Sequence, residues 1–146
     1  MSSVFRVDSF ADLKSLVCKD WEKDVLREKL ARVSHMIEED RFLDDAVISL
    51  RALLERSLRR ICRKHNIPYP GRDYTLGEIL QSLFIKPANT INICISRNKV
   101  TRLEQLIRLA NRIIHSRGIS ESDVDIASER QAWEMFNIIR EIVDVA

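Results

Sequence analysis

The chain of 146 residues carries 24 basic and 22 acidic side chains, and 45% of its residues are hydrophobic. This length suits one ordinary domain over residues 1–146, and the hydrophobic content excludes a wholly disordered chain. Three glycines and three prolines are too few for the closely spaced turns of a β-sandwich or β-barrel. Because no apolar stretch is long enough to span a membrane and no signal peptide is visible, we expect a cytoplasmic protein with no membrane partner.

Charge is distributed unevenly along the chain. Residues 8–45 carry 11 acidic and 7 basic side chains, and residues 118–146 carry 7 and 2. By contrast, residues 51–65 and residues 97–117 each carry six Lys or Arg and one Glu. Two interpretations stay open: helices of opposite charge lie side by side and screen each other, or the basic pair lines a site for phosphate.

The first helix is predicted from two sets of apolar residues at helical spacing. Asp8 or Ser9 can cap it. The sets are Phe10, Leu13, Val17 and Trp21, followed by Leu26, Leu30, Val33 and Ile37. The change of phase between the two sets predicts a bend or two short helices.

The second helix has the clearest apolar stripe, which runs from Leu43 to Ile61. The prolines and glycine of the following loop end it. A capping box that begins at Thr75 then predicts a short third helix over residues 75–84.

The last part of the chain is also predicted to be helical. Residues 88–100 favour a helical connector, because a lone strand would have no partner. The fourth helix is expected from about Lys99 to Ser116, and Ser120 is expected to cap the last helix. The sequence therefore predicts an all-α fold, an antiparallel bundle of four to five helices.

One face of the fourth helix concentrates polar side chains. On a wheel of 100° per residue with Arg108 at 0°, Asn111, Arg112 and His115 all lie within about 60°, and the apolar residues of the helix lie outside this arc. A solvated face is one interpretation. The other is a phosphate site, because arginine forks bind phosphate oxygens and histidine transfers protons near neutral pH.

The stretch Arg108-Leu-Ala-Asn-Arg-Ile-Ile-His115 resembles the signature of HEPN domains, an arginine and a histidine with four to six residues between them, late in a helix; here six residues lie between Arg108 and His115. The commonest form places asparagine directly after the arginine. Here Asn111 keeps its spacing to His115, but Ala110 occupies the arginine position, so Arg108 or Arg112 supplies the charge. The resemblance covers about residues 40–145 and is closest to a HEPN-like family of uncharacterised function.

HEPN-like proteins are helical bundles, and many are metal-independent endoribonucleases in toxin–antitoxin systems, defence or RNA processing. The resemblance implies that an RNA 2′-hydroxyl attacks its adjacent phosphate, without metal or cofactor. His115 would be the general acid or base, Arg108 would stabilise the phosphoryl oxygens and Asn111 would orient the imidazole or phosphate. The same resemblance implies three substrate-binding residues, which are Arg51, Arg112 and Arg117.

The resemblance also implies partners. One histidine per chain gives one proton transfer, so a homodimer with two such helices face to face would supply both acid and base. A neutralising protein or a nucleotidyltransferase-type partner is known for HEPN toxins. The tyrosine that such transferases modify, two residues after the histidine, is replaced by Arg117. The alternative functions are a non-catalytic HEPN-like module that binds a nucleotide or protein, and a helical regulator whose resemblance is accidental.

Other residues are expected to have structural roles. Trp21 and Trp133 are predicted to lie in the core, and Arg51 is predicted to form an i,i+4 ion pair with Glu55. His35 and His65 are expected to be structural or exposed. The three cysteines are expected to be buried thiols; they are Cys18, Cys62 and Cys94.

Overall fold

The computed structural model describes residues 10–71, 74–85, 93, 95–116 and 125–146, with backbone only for residues 10–20. This part of the chain contains five α-helices and no β-strand. The helices are α1 (Phe10–His35), α2 (Leu43–Lys64), α3 (Leu76–Leu80), α4 (Arg97–Ser116) and α5 (Glu129–Val145). Two π-helical turns, Met36–Asp40 and Gln81–Ile85, extend α1 and α3. The predicted all-α fold is confirmed.

Contacts near the helix ends fix the relative directions of the long helices. Glu22, midway along α1, pairs with Arg60 near the end of α2 at 3.3 Å, whereas the end of α1 leads directly into the start of α2, so these helices are antiparallel. Lys99 in α4 pairs with Glu141 in α5 at 2.7 Å, which makes α4 antiparallel to α5. In contrast, Asp44 at the start of α2 binds the segment just before α5, so α2 and α5 run in parallel.

Helix α2 lies at the centre of the core and packs against α1, α4 and α5. Its predicted stripe is buried apart from the half-buried Leu43. The buried residues of the stripe are Ala46, Val47, Leu50, Leu53, Leu54, Ser57, Leu58 and Ile61. The one hydroxyl among them, on Ser57, donates to the Leu53 carbonyl at 2.8 Å, so burial leaves it satisfied.

Helix α1 differs from the prediction because it continues without a break through residues 10–35. The alternative of two short helices is therefore wrong, and so is the burial of Trp21, which is 60% exposed. At 100° per residue, Trp21 lies about 140° away from the buried Leu26. A continuous helix that buries the second apolar set consequently directs Trp21 to solvent. Trp133, by contrast, packs against the core as predicted.

The start of the last helix also differs. Residue 120 lies outside the described residues, but α5 begins at Glu129 and is capped by Ser128, so the predicted start was wrong. The Ser128 hydroxyl accepts from the Gln131 N–H at 3.1 Å, and the Gln131 side chain accepts from the Ser128 N–H at 2.9 Å. These reciprocal bonds form a complete capping box.

Two other terminus predictions concern the middle of the chain. Thr75 caps α3 as predicted, because its hydroxyl accepts from the Glu78 N–H at 3.1 Å. Helix α4 begins two residues earlier than expected, where the Ser96 hydroxyl accepts from the Lys99 N–H at 3.2 Å. Of the helical connector predicted over residues 88–100, residues 88–92 and 94 lie outside the described residues, residues 93, 95 and 96 are not helical, and residues 97–100 begin α4. The predicted caps Asp8 and Ser9 also lie outside the described residues. None of the described helices is long and apolar enough to cross a membrane.

Candidate functional site

The candidate site begins with the outward face of α4. The side chains of Arg108, Asn111, Arg112 and His115 are all exposed on this face. The opposite face is buried through residues such as Ala110 and Ile113. The apolar face thus fixes the rotation of the helix and directs the polar arc away from the core. Arg117 lies outside the described residues.

Ion pairs with α5 hold the other basic residues of α4. Arg102 donates to the Glu134 carboxylate at 2.5 Å, and this hydrogen bond lowers the pKa of Glu134. Lys99 pairs with Glu141. Similarly, Arg60 and Arg63 of α2 donate to Glu22 of α1. Ion pairs with the acidic helices therefore neutralise some of the basic residues in the two basic segments.

The remaining basic residues of these segments include several that face a groove of about 1150 Å³ between α2, the loop before α3, α3 with its π turn, and α4. Three predicted site residues line this groove, namely Arg51, Arg108 and Asn111. Tyr69 and Tyr74 line it from the loop. His115 and Arg112 do not line it.

The three carboxylates of the groove each have a partner. Glu55 pairs with Arg59 at 3.1 Å, and Glu104 accepts a hydrogen bond from Gln81 at 2.5 Å. Glu78 accepts from the hydroxyl of its own helix cap at 3.2 Å. None of these bonds involves the guanidinium of Arg51 or Arg108. Within the described chain, both arginines keep their charge available to a ligand.

The expected pair between Arg51 and Glu55 is therefore wrong. Glu55 bonds one turn forward, to Arg59, whose guanidinium carbon lies 4.2 Å from the centre of the Tyr69 ring. This stack holds the exposed Arg59 guanidinium beside Glu55. The Nε of Arg51 is buried and has no hydrogen-bond partner in the described chain.

Tyr69 is half-buried and lies on the wall of the groove. Burial raises the pKa of the Tyr69 hydroxyl, the Glu55 carboxylate raises it further, and Arg59 acts in the opposite direction. The ring is therefore neutral at physiological pH. Its neutral hydroxyl can still donate a hydrogen bond.

His115 lies farther along the same face of α4. It lies seven positions after Arg108, a rise of about 10 Å, and Asn111 lies between them, about 4.5 Å along the helix axis from Arg108 and about 6 Å from His115. His115 makes no hydrogen bond or ion pair with the described residues and can therefore reach a ligand that extends out of the groove. The other two histidines lie elsewhere: His35 ends α1 and His65 caps the end of α2.

The described residues contain no group of three or more histidine, cysteine, aspartate or glutamate side chains placed to hold a metal ion. Cys62 is a buried free thiol, and burial raises its pKa. Cys18 and Cys94 have no described side chains. The arginine and histidine side chains of the described site can bind an anion and transfer a proton, respectively.

Comparison of the chain with models of protein families, with curated proteins and with solved structures finds no match in any of the three. Function is therefore inferred from the side chains of the site. Sequence reasoning did not single out Arg59, Tyr69 or Tyr74. The signal that could have found them is a loop with two tyrosines, directly after a basic helix.

Proposed function

We propose that this protein is a metal-independent endoribonuclease of the HEPN type. The observation that carries the proposal is the course of the polar face of α4, on which Arg108 and Asn111 enter the groove and His115 follows about one turn beyond Asn111. An RNA strand that runs from the groove along α4 would place one phosphate at Arg108 and a later one at the imidazole of His115. This order suits binding of an RNA strand followed by proton transfer at one of its phosphates.

The proposed reaction is internal transfer of a phosphoryl group. A base removes the proton of the 2′-hydroxyl, the 2′-oxygen bonds to phosphorus, and the bond from phosphorus to the 5′-oxygen breaks. An acid protonates the leaving 5′-oxygen, so the products are a 2′,3′-cyclic phosphate and a 5′-hydroxyl. His115 performs one proton transfer, while Arg108 stabilises negative charge on the phosphoryl oxygens and Asn111 orients the phosphate.

The second proton transfer requires another group, for which we propose His115 of a second copy of this chain. A two-fold axis beside the polar face of α4 would bring the two imidazoles to opposite sides of one phosphate. The facing arginines would repel each other without a ligand, so RNA stabilises this arrangement. The functional unit in this proposal is a homodimer.

The experiment that tests the proposal is cleavage of mixed cellular RNA by the pure protein in EDTA. We expect wild-type protein to cleave and His115→Ala to lose at least 100-fold in rate, as removal of a general acid or base does. His35→Ala is the matched control, because His35 is exposed on α1, a helix that packs on α2 and α5. Equal inactivity of wild type and both variants on all RNA tested would refute catalysis.

A second candidate function is a non-catalytic module that binds a nucleotide or a protein partner. It is favoured because His115 lies outside the groove, so Arg51 and Arg108 could bind a ligand there without any contribution from the histidine. If the ligand is a nucleotide, this function predicts RNA binding without cleavage, and binding that is unchanged in His115→Ala; if it is a protein, neither RNA binding nor cleavage is expected.

A further inference from the structure

The loop between α2 and α3 places two aromatic rings at the groove. Its reversal begins at Asn66, which has a left-handed backbone (φ 56°) and directs its N–H toward the Arg63 carbonyl. The Ile67 N–H then bonds to the Cys62 carbonyl at 2.8 Å, completing a Schellman motif. A second left-handed residue, Gly71 (φ 76°), turns the chain again before Tyr74.

The two rings have different environments. Tyr69 is covered on one face by the guanidinium of Arg59. Tyr74 is 54% exposed and makes no ring contact with the described residues. An exposed tyrosine that lines a groove offers a free flat face, the surface on which unpaired nucleobases stack.

The groove also offers two positive charges, on Arg51 and Arg108, that have no carboxylate partner among the described residues. Arg51 is the more unusual, because burial of its Nε without a hydrogen bond is unfavourable. An oxygen acceptor in the groove would remove this deficit. A phosphate oxygen is the acceptor that best matches a guanidinium fork.

We propose that the groove is a nucleotide-binding subsite, in which a base stacks on Tyr74 and the adjacent phosphate binds Arg51 and Arg108. This inference rests on the proposed function, since the nucleotide belongs to the strand whose cleaved phosphate lies at His115. Stacking on a protein ring requires an unpaired base, so the subsite selects single-stranded segments. Tyr74 and Arg51 are binding residues and take no part in proton transfer.

The test is fluorescence anisotropy of a labelled hexadeoxynucleotide titrated with the full-length protein. This probe has no 2′-hydroxyl and cannot undergo the proposed cleavage. We expect Tyr74→Ala to weaken binding roughly 5- to 100-fold and Tyr74→Phe to bind nearly as wild type, because stacking depends on the ring. Phe42→Ala is the matched control, since Phe42 is 56% exposed and lies outside the groove.

A second probe, an abasic oligomer of the same length, separates base from phosphate binding. Wild-type protein should bind it about as weakly as Tyr74→Ala binds the normal oligomer, and Tyr74→Ala should have no further effect. Arg51→Met should weaken binding of both probes and reduce the salt dependence by about 0.7 in the log–log slope. A melting temperature of Arg51→Met at or above that of wild type will show that it folds.

The inference is wrong if Tyr74→Ala binds the hexamer as tightly as Phe42→Ala, or if wild type binds both probes equally. Its failure is distinct from failure of the proposed function. RNA cleavage that depends on His115, with no effect of Tyr74→Ala on binding, would refute the subsite alone. Tyr74-dependent binding without cleavage by wild type would refute the nuclease and leave the subsite in place.

Discussion

At the scale of single residues, the main question is which arginine binds the reacting phosphate. Arg108 and Arg112 are both exposed and lie only about 40° apart around α4. Only Arg108 lines the groove, beside Asn111 and opposite Arg51 of α2. Arg108 and Arg112 have similar directions on a helical wheel, but they differ in their position along the axis of α4, and only Arg108 is level with the groove.

We predict that Arg108→Ala reduces the rate of RNA cleavage much more than Arg112→Ala does. The physical reason is that Arg108 can reach a phosphate that the groove also holds, whereas Arg112 faces solvent beyond it. Both side chains lie outside the core, so neither change opens a cavity, and both variants should melt close to wild type. Single-turnover cleavage rates provide the measurement, and a larger loss in Arg112→Ala would reverse the assignment.

The sequence predicted some of these positions and missed others for identifiable reasons. Helical periodicity was sufficient to place Arg108, Asn111 and His115 on one exposed face. It could not decide the partner of Glu55, which has one arginine four residues before it and another four residues after. The order Glu then Arg is the more stable one, and the Tyr69 ring reinforces it through a contact that comes from the following loop.

At the scale of helices, the start of α5 depends on a side chain from α2. The Asp44 carboxylate is 7% exposed and accepts from the Ile126 N–H at 2.9 Å and from the Ala127 N–H at 2.8 Å. These bonds hold the chain in a non-helical conformation just before the Ser128 cap. The sequence contains two capping signals, at Ser120 and Ser128, and local spacing does not reveal which one a distant aspartate will favour.

We predict that Asp44→Asn lowers the free energy of unfolding by about 1–3 kcal/mol. The amide keeps the size of the side chain but loses the charge and places an N–H₂ group near backbone donors, so a buried donor is left unsatisfied. Urea denaturation measures the change. Asp24→Asn is the control, because Asp24 is exposed on α1; an equal effect of both substitutions would contradict this role of Asp44.

The long helices were the most predictable elements. Helix α2 begins at the predicted Leu43 and extends one turn beyond Ile61, and α4 ends at the predicted Ser116. Both have a continuous apolar stripe whose burial determines their orientation. Helix α1 was predicted less well because its first apolar set, which includes Trp21, does not align with the second.

At the scale of the whole molecule, the basic residues fall into two groups, one that pairs with the acidic helices and one that faces the groove. Acidic residues of α1 and α5 pair with one group of basic residues on α2 and α4, and these pairs join the bundle. Another group, which includes Arg51 and Arg108, faces the groove. The small net charge of +2 thus coexists with a local concentration of available arginine.

We predict that the protein is a homodimer at tens of micromolar, with the polar face of α4 at the interface. Ile114 is 47% exposed and lies about 60° around α4 from Asn111, at the border of this face, where a second copy would cover it. Ile114→Asp should therefore shift the protein toward monomer in light scattering. Trp21→Asp, at an exposed apolar residue of α1, should leave the mass unchanged. A wild-type protein that is strictly monomeric at this concentration, both alone and with a 2′-deoxy strand that it cannot cleave, would contradict the shared site.

The central claim is that an RNA 2′-hydroxyl attacks its own phosphate at His115, and one substituted RNA tests it most directly. After a cleavage position is mapped, the nucleotide on its 5′ side is replaced by its 2′-deoxy form, and both RNAs are incubated with wild-type protein in EDTA. The account predicts that the unmodified RNA yields a 2′,3′-cyclic phosphate and that the substituted RNA stays intact at that position. Cleavage of the substituted RNA at an unchanged rate, or absence of cleavage of either RNA, would contradict it.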